Sequence, residues 1–269
     1  MPDPQLPDPR PTNWAAGRYQ AVAEQIAVIA GEVVTSADRL RPVRDTPLAD
    51  LACGTGSAAL AAAEAGAHVT GVDLTAELIA IASERPGADA VQWVVADAAH
   101  TGLPDGGFGT VVSNMGIIFV EPTSLVAEVT RLLTPGGIFA FSTWIRDEGG
   151  SPFFTPIVET LGAPPAAGYS PDQWGDPDVV HSRLDVGFDD VHFETDSHTW
   201  RFDSVESAIR FISDESPMHV NLLSRLDDAT RTRLLDAFTA ALSAQTDDDG
   251  RVAFDAPYAV VTARKIRNT

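Results

Sequence analysis

Apolar and polar positions along the chain fall into alternating short runs and helical stripes. Leu48-Ala49-Asp50-Leu51-Ala52 reads as a buried strand, and Ser57-Ala58-Ala59-Leu60-Ala61-Ala62-Ala63-Glu64 as a helix of good helix formers that Gly66 ends. Further strands are predicted at 68–72, 91–95, 109–114 and 137–143, with helices near 57–65, 75–84 and 123–133. Strands alternating with helices imply an α/β fold with a parallel sheet and right-handed crossovers. Upstream, Tyr19, Val22, Ala23, Ile26, Ala27, Ile29, Ala30, Val33 and Val34 recur at helical spacing, which predicts one long amphipathic helix from Trp14 to near Ser36. Residues 1–12 hold five prolines and no periodicity, the pattern of a flexible arm. After Trp144 the regularity breaks. Residues 146–180 mix glycines, prolines and aromatics and read as a packed lid; 192–202 and 258–264 read as two further strands, and 204–244 between them as two or three helices.

The junctions carry the chemistry. Strand 48–52 runs into Cys53-Gly54-Thr55-Gly56 and then a helix, and the second strand, Ala67-His68-Val69-Thr70-Gly71-Val72, closes on Asp73. Glycines let a backbone adopt positive φ and approach a ligand, and an acid at the end of the second strand can accept bonds from both hydroxyls of a ribose. Asp73 is also a possible helix N-cap, but Thr75 with Glu77 and Leu78 following is the better one, which leaves Asp73 for the ribose. Asp97 at the end of the third strand is either a ligand contact or a turn residue, and Cys53 is a small filler whose backbone matters more than its sulfur.

Composition narrows the partner. With 38 acidic and 18 basic residues the formal charge is −20, which repels phosphate backbones and anionic membranes and favours a small-molecule substrate over nucleic acid or lipid. One cysteine excludes an intramolecular disulfide, no apolar run approaches the ~20 residues that span a bilayer, and Met1-Pro2-Asp3-Pro4-Gln5 does not begin a signal peptide, so a cytoplasmic protein is expected. Lys265 is the only lysine beside many arginines and alanines, a composition suggestive of a GC-rich bacterial genome.

Five ordered motifs resemble class I S-adenosylmethionine-dependent methyltransferases of the small-molecule, UbiE-like type. Ala52-x-Gly54-x-Gly56 is similar to the family's acid-x-G-x-G-x-G turn, with Asp50 as the leading acid and Ala52 in place of the first glycine; Gly71-Val72-Asp73-Leu74 resembles the second-strand motif and Val94-Val95-Ala96-Asp97-Ala98 the third. Leu103-Pro104-Asp105-Gly106-Gly107-Phe108 and Leu132-Leu133-Thr134-Pro135-Gly136-Gly137 resemble the two later turns. The match runs from residue 14 to about 145. It implies a Rossmann-like seven-stranded mixed sheet flanked by helices, an antiparallel closing pair, a helical lid insertion before the last strand, and one methyltransferase domain over 13–269, with a cofactor half at 13–145 and a substrate side at about 146–250. The implied cofactor is S-adenosyl-L-methionine, its product S-adenosyl-L-homocysteine. The residues implied to hold it are Trp14 and Tyr19 by the methionine end, Asp50, Ala52, Cys53, Gly54 and Gly56 in the turn, Asp73 and Leu74 by the ribose, Asp97 and Ala98 by adenine, and Asn114 and Met115 by the methionine amine.

Methyl transfer needs the nucleophile and methyl held in line, a positional effect worth ~7–11 kcal/mol. A hydroxyl acceptor must also lose a proton, and His219, in the break Asp214-Glu215-Ser216-Pro217-Met218-His219, is the leading base candidate ahead of His100, His181, Glu121 and Glu215. Ser113-Asn114-Met115 lacks the acid that metal-dependent relatives carry there, and no N/D-P-P-Y signature is present, so a metal-independent O-methyltransferase is expected. The competing readings are a fold of this type that binds cofactor without methylating, and an NAD-dependent oxidoreductase, against which the glycine spacing, the Asp97-Ala98 pair and the lack of a Tyr-x-x-x-Lys couple argue.

Overall fold

The computed structural model describes residues 12–146, 149–162 and 168–267. The arm expected over residues 1–12 lies outside them except for Thr12. In chain order the elements are α1 (Tyr19–Gln25), α2 (Ala27–Leu40), β1 (Pro47–Leu51), α3 (Ser57–Glu64), β2 (His68–Asp73), α4 (Ala76–Ser83), β3 (Val91–Val95), β4 (Phe108–Asn114), α5 (Pro122–Leu132) and β5 (Leu133–Trp144). Then follow α6 (Thr155–Leu161), α7 (Pro177–Leu184), β6 (Phe188–Phe202), α8 (Val205–Arg210), α9 (Pro217–Ser224), α10 (Asp228–Ser243) and β7 (Val252–Lys265). The seven strands form one sheet in the order β3-β2-β1-β4-β5-β7-β6, with β1 to β5 parallel and β7 antiparallel to β5. This is the mixed seven-stranded Rossmann-like sheet that the motifs implied.

The central strands are long apolar runs because both faces are covered. Ala49, Leu51, Val111, Phe139 and Phe141 are fully buried, with Leu125, Val129 and Leu132 of α5 packed on the same cluster. Lys265 ends β7 by donating to the carbonyls of Thr130 (2.6 Å) and Leu133 (2.7 Å), which satisfies acceptors left over at the end of α5.

The chain divides into two compact units. The larger, Ile26–Ile145 with Tyr169–Asp196 and Tyr258–Thr269, holds α2 to β5 and every glycine-rich motif. The smaller, Met1–Gln25 with Arg146–Gly168 and Ser197–Pro257, has its own aromatic core, in which Phe153 stacks on Phe211 at 5.8 Å and meets Trp200 and Phe254 edge to face.

Two predicted elements are corrected. The single helix expected from Trp14 to Ser36 starts only at Tyr19, after Gly17 at φ +70°, where a Cβ would come within 2.7 Å of the Glu215 carbonyl, and it is two helices because Ile26 leaves helical geometry between α1 and α2. Its carbonyl accepts from the Ile29 amide at 3.1 Å and from Asn114 Nδ2 at 3.4 Å. The stretch 146–180, read as irregular, contains α6, a 3₁₀ turn at Pro171–Gly175 and the start of α7.

Candidate functional site

Strand order reverses between β1 and β4, and in open α/β sheets the crevice outside the carboxyl ends of strands at such a point is where ligands bind. Backbone strain concentrates there. Ala52 at the end of β1 and Met115 at the end of β4 both take left-handed φ, +51° and +56°, which non-glycine residues rarely adopt. A Cβ on Gly116 would stand 2.4 Å from the Ala52 carbonyl, so the two strand ends are pressed together and only glycine fits between them. Two fully buried hydroxyls staple this junction. Ser113 Oγ donates to the Leu51 carbonyl (2.7 Å); Ser142 Oγ donates to Asn114 Oδ1 (2.7 Å) and accepts from the Met115 amide (3.0 Å). Neither serine was nominated from the sequence, because a serine within a strand carries no pattern of its own.

The turn is held by the acid at the end of β2. Asp73 is 8% exposed; its Oδ2 accepts from the Gly54 amide and its Oδ1 from the Thr75 amide, both at 2.8 Å. Thr75 is the N-cap residue of α4 as expected, though without a side-chain bond, and Asp73 is not left free of local bonds, since its Oδ1 takes the Thr75 amide. Each carboxylate oxygen has a second lone pair, so the site keeps acceptor capacity for two further hydroxyls. Beside it Leu74 is 69% exposed, and Val95, the register partner of Asp73 on β3, is 53% exposed, so the two form an apolar ledge. Asp97 accepts from the Ala99 amide (2.9 Å) and keeps a half-exposed carboxylate; Ala98 is buried.

Asp50 has a different setting from the other turn residues. It is 1% exposed, its Oδ2 accepts from Ala59 in the first turn of α3 at 2.8 Å, and its Oδ1 has no hydrogen-bond partner. Burial pushes its carboxyl up to about 8, against the bond from Ala59, and the nearby Asp73 charge adds to the rise. Burial likewise pushes the half-buried Cys53 thiol up, with Asp50 and Asp73 contributing. Gly56, at φ +82°, and Gly71 share a further reason not visible locally: a Cβ on either would fall within 2.4 to 2.8 Å of the Trp93 indole, which lies across both. Arg85, also missed, braces the turn by donating to the Thr55 carbonyl at 2.7 Å.

The base candidates are accounted for by structure. His219, expected to face a pocket, is 3% exposed in the core of the smaller unit; Nε2 faces the Phe153 carbonyl (3.2 Å), which can only accept, so Nε2 carries the proton and Nδ1 accepts from Ser216 Oγ (2.8 Å). Burial lowers it to about 4, outweighing the bond to Phe153. The pocket-facing position expected of it is therefore corrected: His219 lies enclosed in a core. Glu121 caps α5 by accepting from Ser124 and Thr123, and those bonds hold it at about 2. Glu215 pairs with Arg18, and His100 stands exposed, 4.0 Å from Asp97. His181 is an exposed residue of α7. Trp14 and Tyr19 meet edge to face at 6.3 Å within the smaller unit.

Residues 49–141 match the methyltransferase domain family. An uncharacterized protein of Mycobacterium tuberculosis is 28% identical over 257 residues, covering 94% of this chain and 92% of its own length. A demethylmenaquinone methyltransferase of Clavibacter sepedonicus is 36% identical over 115 residues, 41% of this chain and 47% of that one. Among solved structures, the Haemonchus contortus phosphoethanolamine N-methyltransferase 2 in complex with S-adenosyl-L-methionine has a TM-score of 0.53 and 20% identity, covering 88% of this chain and 52% of that one.

Proposed function

Since the chain carries a class I, S-adenosylmethionine-dependent methyltransferase domain, we propose that it methylates a small, partly apolar acceptor, an oxygen nucleophile in the first instance, without a metal. The observation that carries this reading is the Asp73 carboxylate, which holds the Gly54 turn and retains acceptor capacity beside the exposed Leu74 and Val95 ledge. That set suits an adenosine: apolar surface for a base, an acid for ribose hydroxyls, and the half-exposed Asp97 for an exocyclic amine. Ala52, Cys53, Gly54 and Gly56 would face the ligand with backbone, and Asn114 and Met115 would meet the methionine end, where Ser142 fixes both.

The cofactor supplies an electrophilic methyl group on a sulfonium. What this chain adds is positioning. With His219 locked in a core and Glu121 spent on a helix cap, two of the base candidates are already engaged, which supports in-line placement as the main catalytic device, with acceptors acidic enough to ionise unaided favoured. A partly apolar acceptor is supported by the demethylmenaquinone acceptor named for the Clavibacter relative.

The test is calorimetry with S-adenosylmethionine, S-adenosylhomocysteine and NAD, followed by methyl-label transfer to a panel of phenols, hydroxyquinones and amines. One-site binding of both sulfur nucleosides with transfer to phenols supports the proposal. Binding with transfer to no acceptor would make the chain a cofactor-holding protein of this fold, and binding of NAD alone would overturn the reading.

A further inference from the structure

The sheet order spaces the polar points of the crevice. Asp73 ends β2, Asp97 follows β3, and Asn114 ends β4 on the far side of β1. At about 4.8 Å per strand, the end of β4 stands roughly 10 Å from that of β2 and roughly 14 Å from that of β3. A ligand whose ribose meets Asp73 therefore reaches β4 only with what extends beyond the ribose. In S-adenosylmethionine that extension is the methionine chain, with its ammonium and carboxylate groups.

At the end of β4 one hydroxyl sets the direction of one peptide. The Ile26 carbonyl can only accept, so Asn114 Nδ2 faces it at 3.4 Å and Oδ1 is left for Ser142, its register partner on β5. Oδ1 can only accept as well, so it takes the Ser142 proton at 2.7 Å, and a lone pair of Ser142 Oγ takes the Met115 amide at 3.0 Å. Ser142 is fully buried, so water does not compete for either bond. The 114–115 peptide is trans, and the N–H and C=O of a trans peptide point in opposite directions. An N–H directed at Ser142 on β5 thus turns the Asn114 carbonyl away from β5, toward β1 and the crevice. Met115, at φ +56°, holds a backbone conformation that persists only where its surroundings over-determine it, and the bond from its amide to Ser142 is one such constraint.

We propose that Ser142 is a positioning residue for the methionine end of the cofactor: without touching the ligand, its hydroxyl holds the Asn114 carbonyl toward the crevice as acceptor for the α-ammonium group. The inference rests on the proposed function and deepens it. Its consequence is a split within one ligand, since affinity that depends on Ser142 belongs to the amino-acid end and not to the adenosine end.

The test compares S-adenosylhomocysteine with methylthioadenosine, which keeps the adenosine and the thioether and lacks the ammonium and the carboxylate. The first is titrated calorimetrically into the full chain and the second is read by its displacement of the first, in the wild type, Ser142→Ala and Ser113→Ala. Ser142→Ala should bind S-adenosylhomocysteine about tenfold or more weakly, the size of one charged contact, and methylthioadenosine within about threefold of the wild type. Both affinities come from one sample, so unfolded protein lowers the number of sites and leaves their ratio unchanged. Ser142→Cys, close in shape but a weak donor and acceptor, should shift the ratio the same way and serves where the alanine variant does not fold. Ser113 bonds the Leu51 carbonyl and the Ile117 amide at the same junction without touching this peptide, so Ser113→Ala should leave the ratio as it is. Equal losses of both ligands in the Ser142 variants, unchanged affinity for S-adenosylhomocysteine, or a ratio shifted as far by Ser113→Ala would each overturn the inference. No displacement by methylthioadenosine at about 10 mM in the wild type would do the same, since there would be no separate adenosine end to spare. Wild-type protein that binds neither nucleoside would refute the proposed function and the inference with it, whereas binding without the split refutes the inference alone.

Discussion

Asp73→Asn separates two roles that the structure gives one carboxylate. The native side chain accepts from two buried amides, Gly54 and Thr75, each at 2.8 Å. Asparagine keeps the shape and one acceptor oxygen but turns an NH2 toward the other amide, so one hydrogen bond to a charged group is lost, about 1.5–3 kcal/mol. At roughly 2–4 °C per kcal/mol for a chain of this size, the thermal midpoint without cofactor should fall by about 3–12 °C. Cofactor affinity should fall further, because the same NH2 replaces an acceptor for one ribose hydroxyl; another 1.5–3 kcal/mol corresponds to roughly 10- to 150-fold. Differential scanning fluorimetry of the apo protein and calorimetric titration with S-adenosylhomocysteine read the two effects independently. An unchanged apo midpoint would refute the turn-holding role, and unchanged affinity with a lowered midpoint would remove the ribose role. Asp73→Ala is the poorer probe, since it leaves both buried amides unpaired and spends a large share of a stability that is only ~5–15 kcal/mol in most domains.

Three further perturbations test the surrounding structure. Gly71→Ala drives a Cβ to within 2.7 Å of the Trp93 ring and should cost about 1–3 kcal/mol by overpacking; adding Trp93→Leu should recover part of that loss in urea melts, whereas simple additivity would contradict the contact. His219→Leu should leave turnover unchanged. Because burial depresses the native His219 to about 4, the unfolded chain binds the extra proton as pH falls from about 6.5 to 4, and stability should be lost across that window in the wild type and less so in the variant; a pH-rate profile altered by the variant would restore His219 as a base. Glu128 is desolvated, which alone would raise it, but bonds from Arg131 and Thr101 outweigh this and hold it at about 2. Its contribution is present above the unfolded value near ~4.3 and is lost as pH falls toward 2, so Glu128→Gln should cost about 3–5 kcal/mol at pH 7 and little at pH 2 in denaturant titrations.

What was legible in the chain is what is local. The run into Cys53-Gly54-Thr55-Gly56 and the acid at 73 announce a turn, a helix and a strand end because positive φ, helix propensity and strand alternation act over a few residues, and β1 to β5 lie within a few residues of their predicted bounds. What was not legible comes from partners far along the sequence. At the break the Ile26 carbonyl takes a bond from Asn114, 88 positions away. Gly56 reads as a ligand-approach glycine and has the expected positive φ, yet it is also cleared for Trp93, as Gly71 is, and no periodicity specifies the direction of that indole. His219 sits in a polar-looking break, and only the convergence of Phe153, Phe238 and Ser216 makes that break a core. Polar residues flanked by proline are thus the weakest basis for nominating a catalytic group.

Asp50 carries this reasoning furthest, since the motif makes it a cofactor acid and the geometry makes it a cap beneath α3. Its carboxyl, buried with one oxygen unpartnered and pushed up to about 8, is neutral at pH 7, so asparagine is close to an isostere of the native state. The sign of the linkage follows. Between about pH 4 and 8 the unfolded chain has lost this proton and the folded one keeps it, so the wild type loses stability as pH rises through that range. Asp50→Asn cannot titrate and should gain on the wild type progressively, with the largest advantage near pH 8 to 9 and little difference near pH 4. Affinity for S-adenosylhomocysteine at pH 7 should stay within about threefold, less than the tenfold that one charged contact commands. Paired chemical melts at pH 5 and 8.5, with titrations at pH 7, check both statements. A loss of affinity beyond about tenfold with unchanged stability would show that the cofactor draws the proton off Asp50 and reads it as a carboxylate, in which case affinity in the wild type must also climb with pH toward 8.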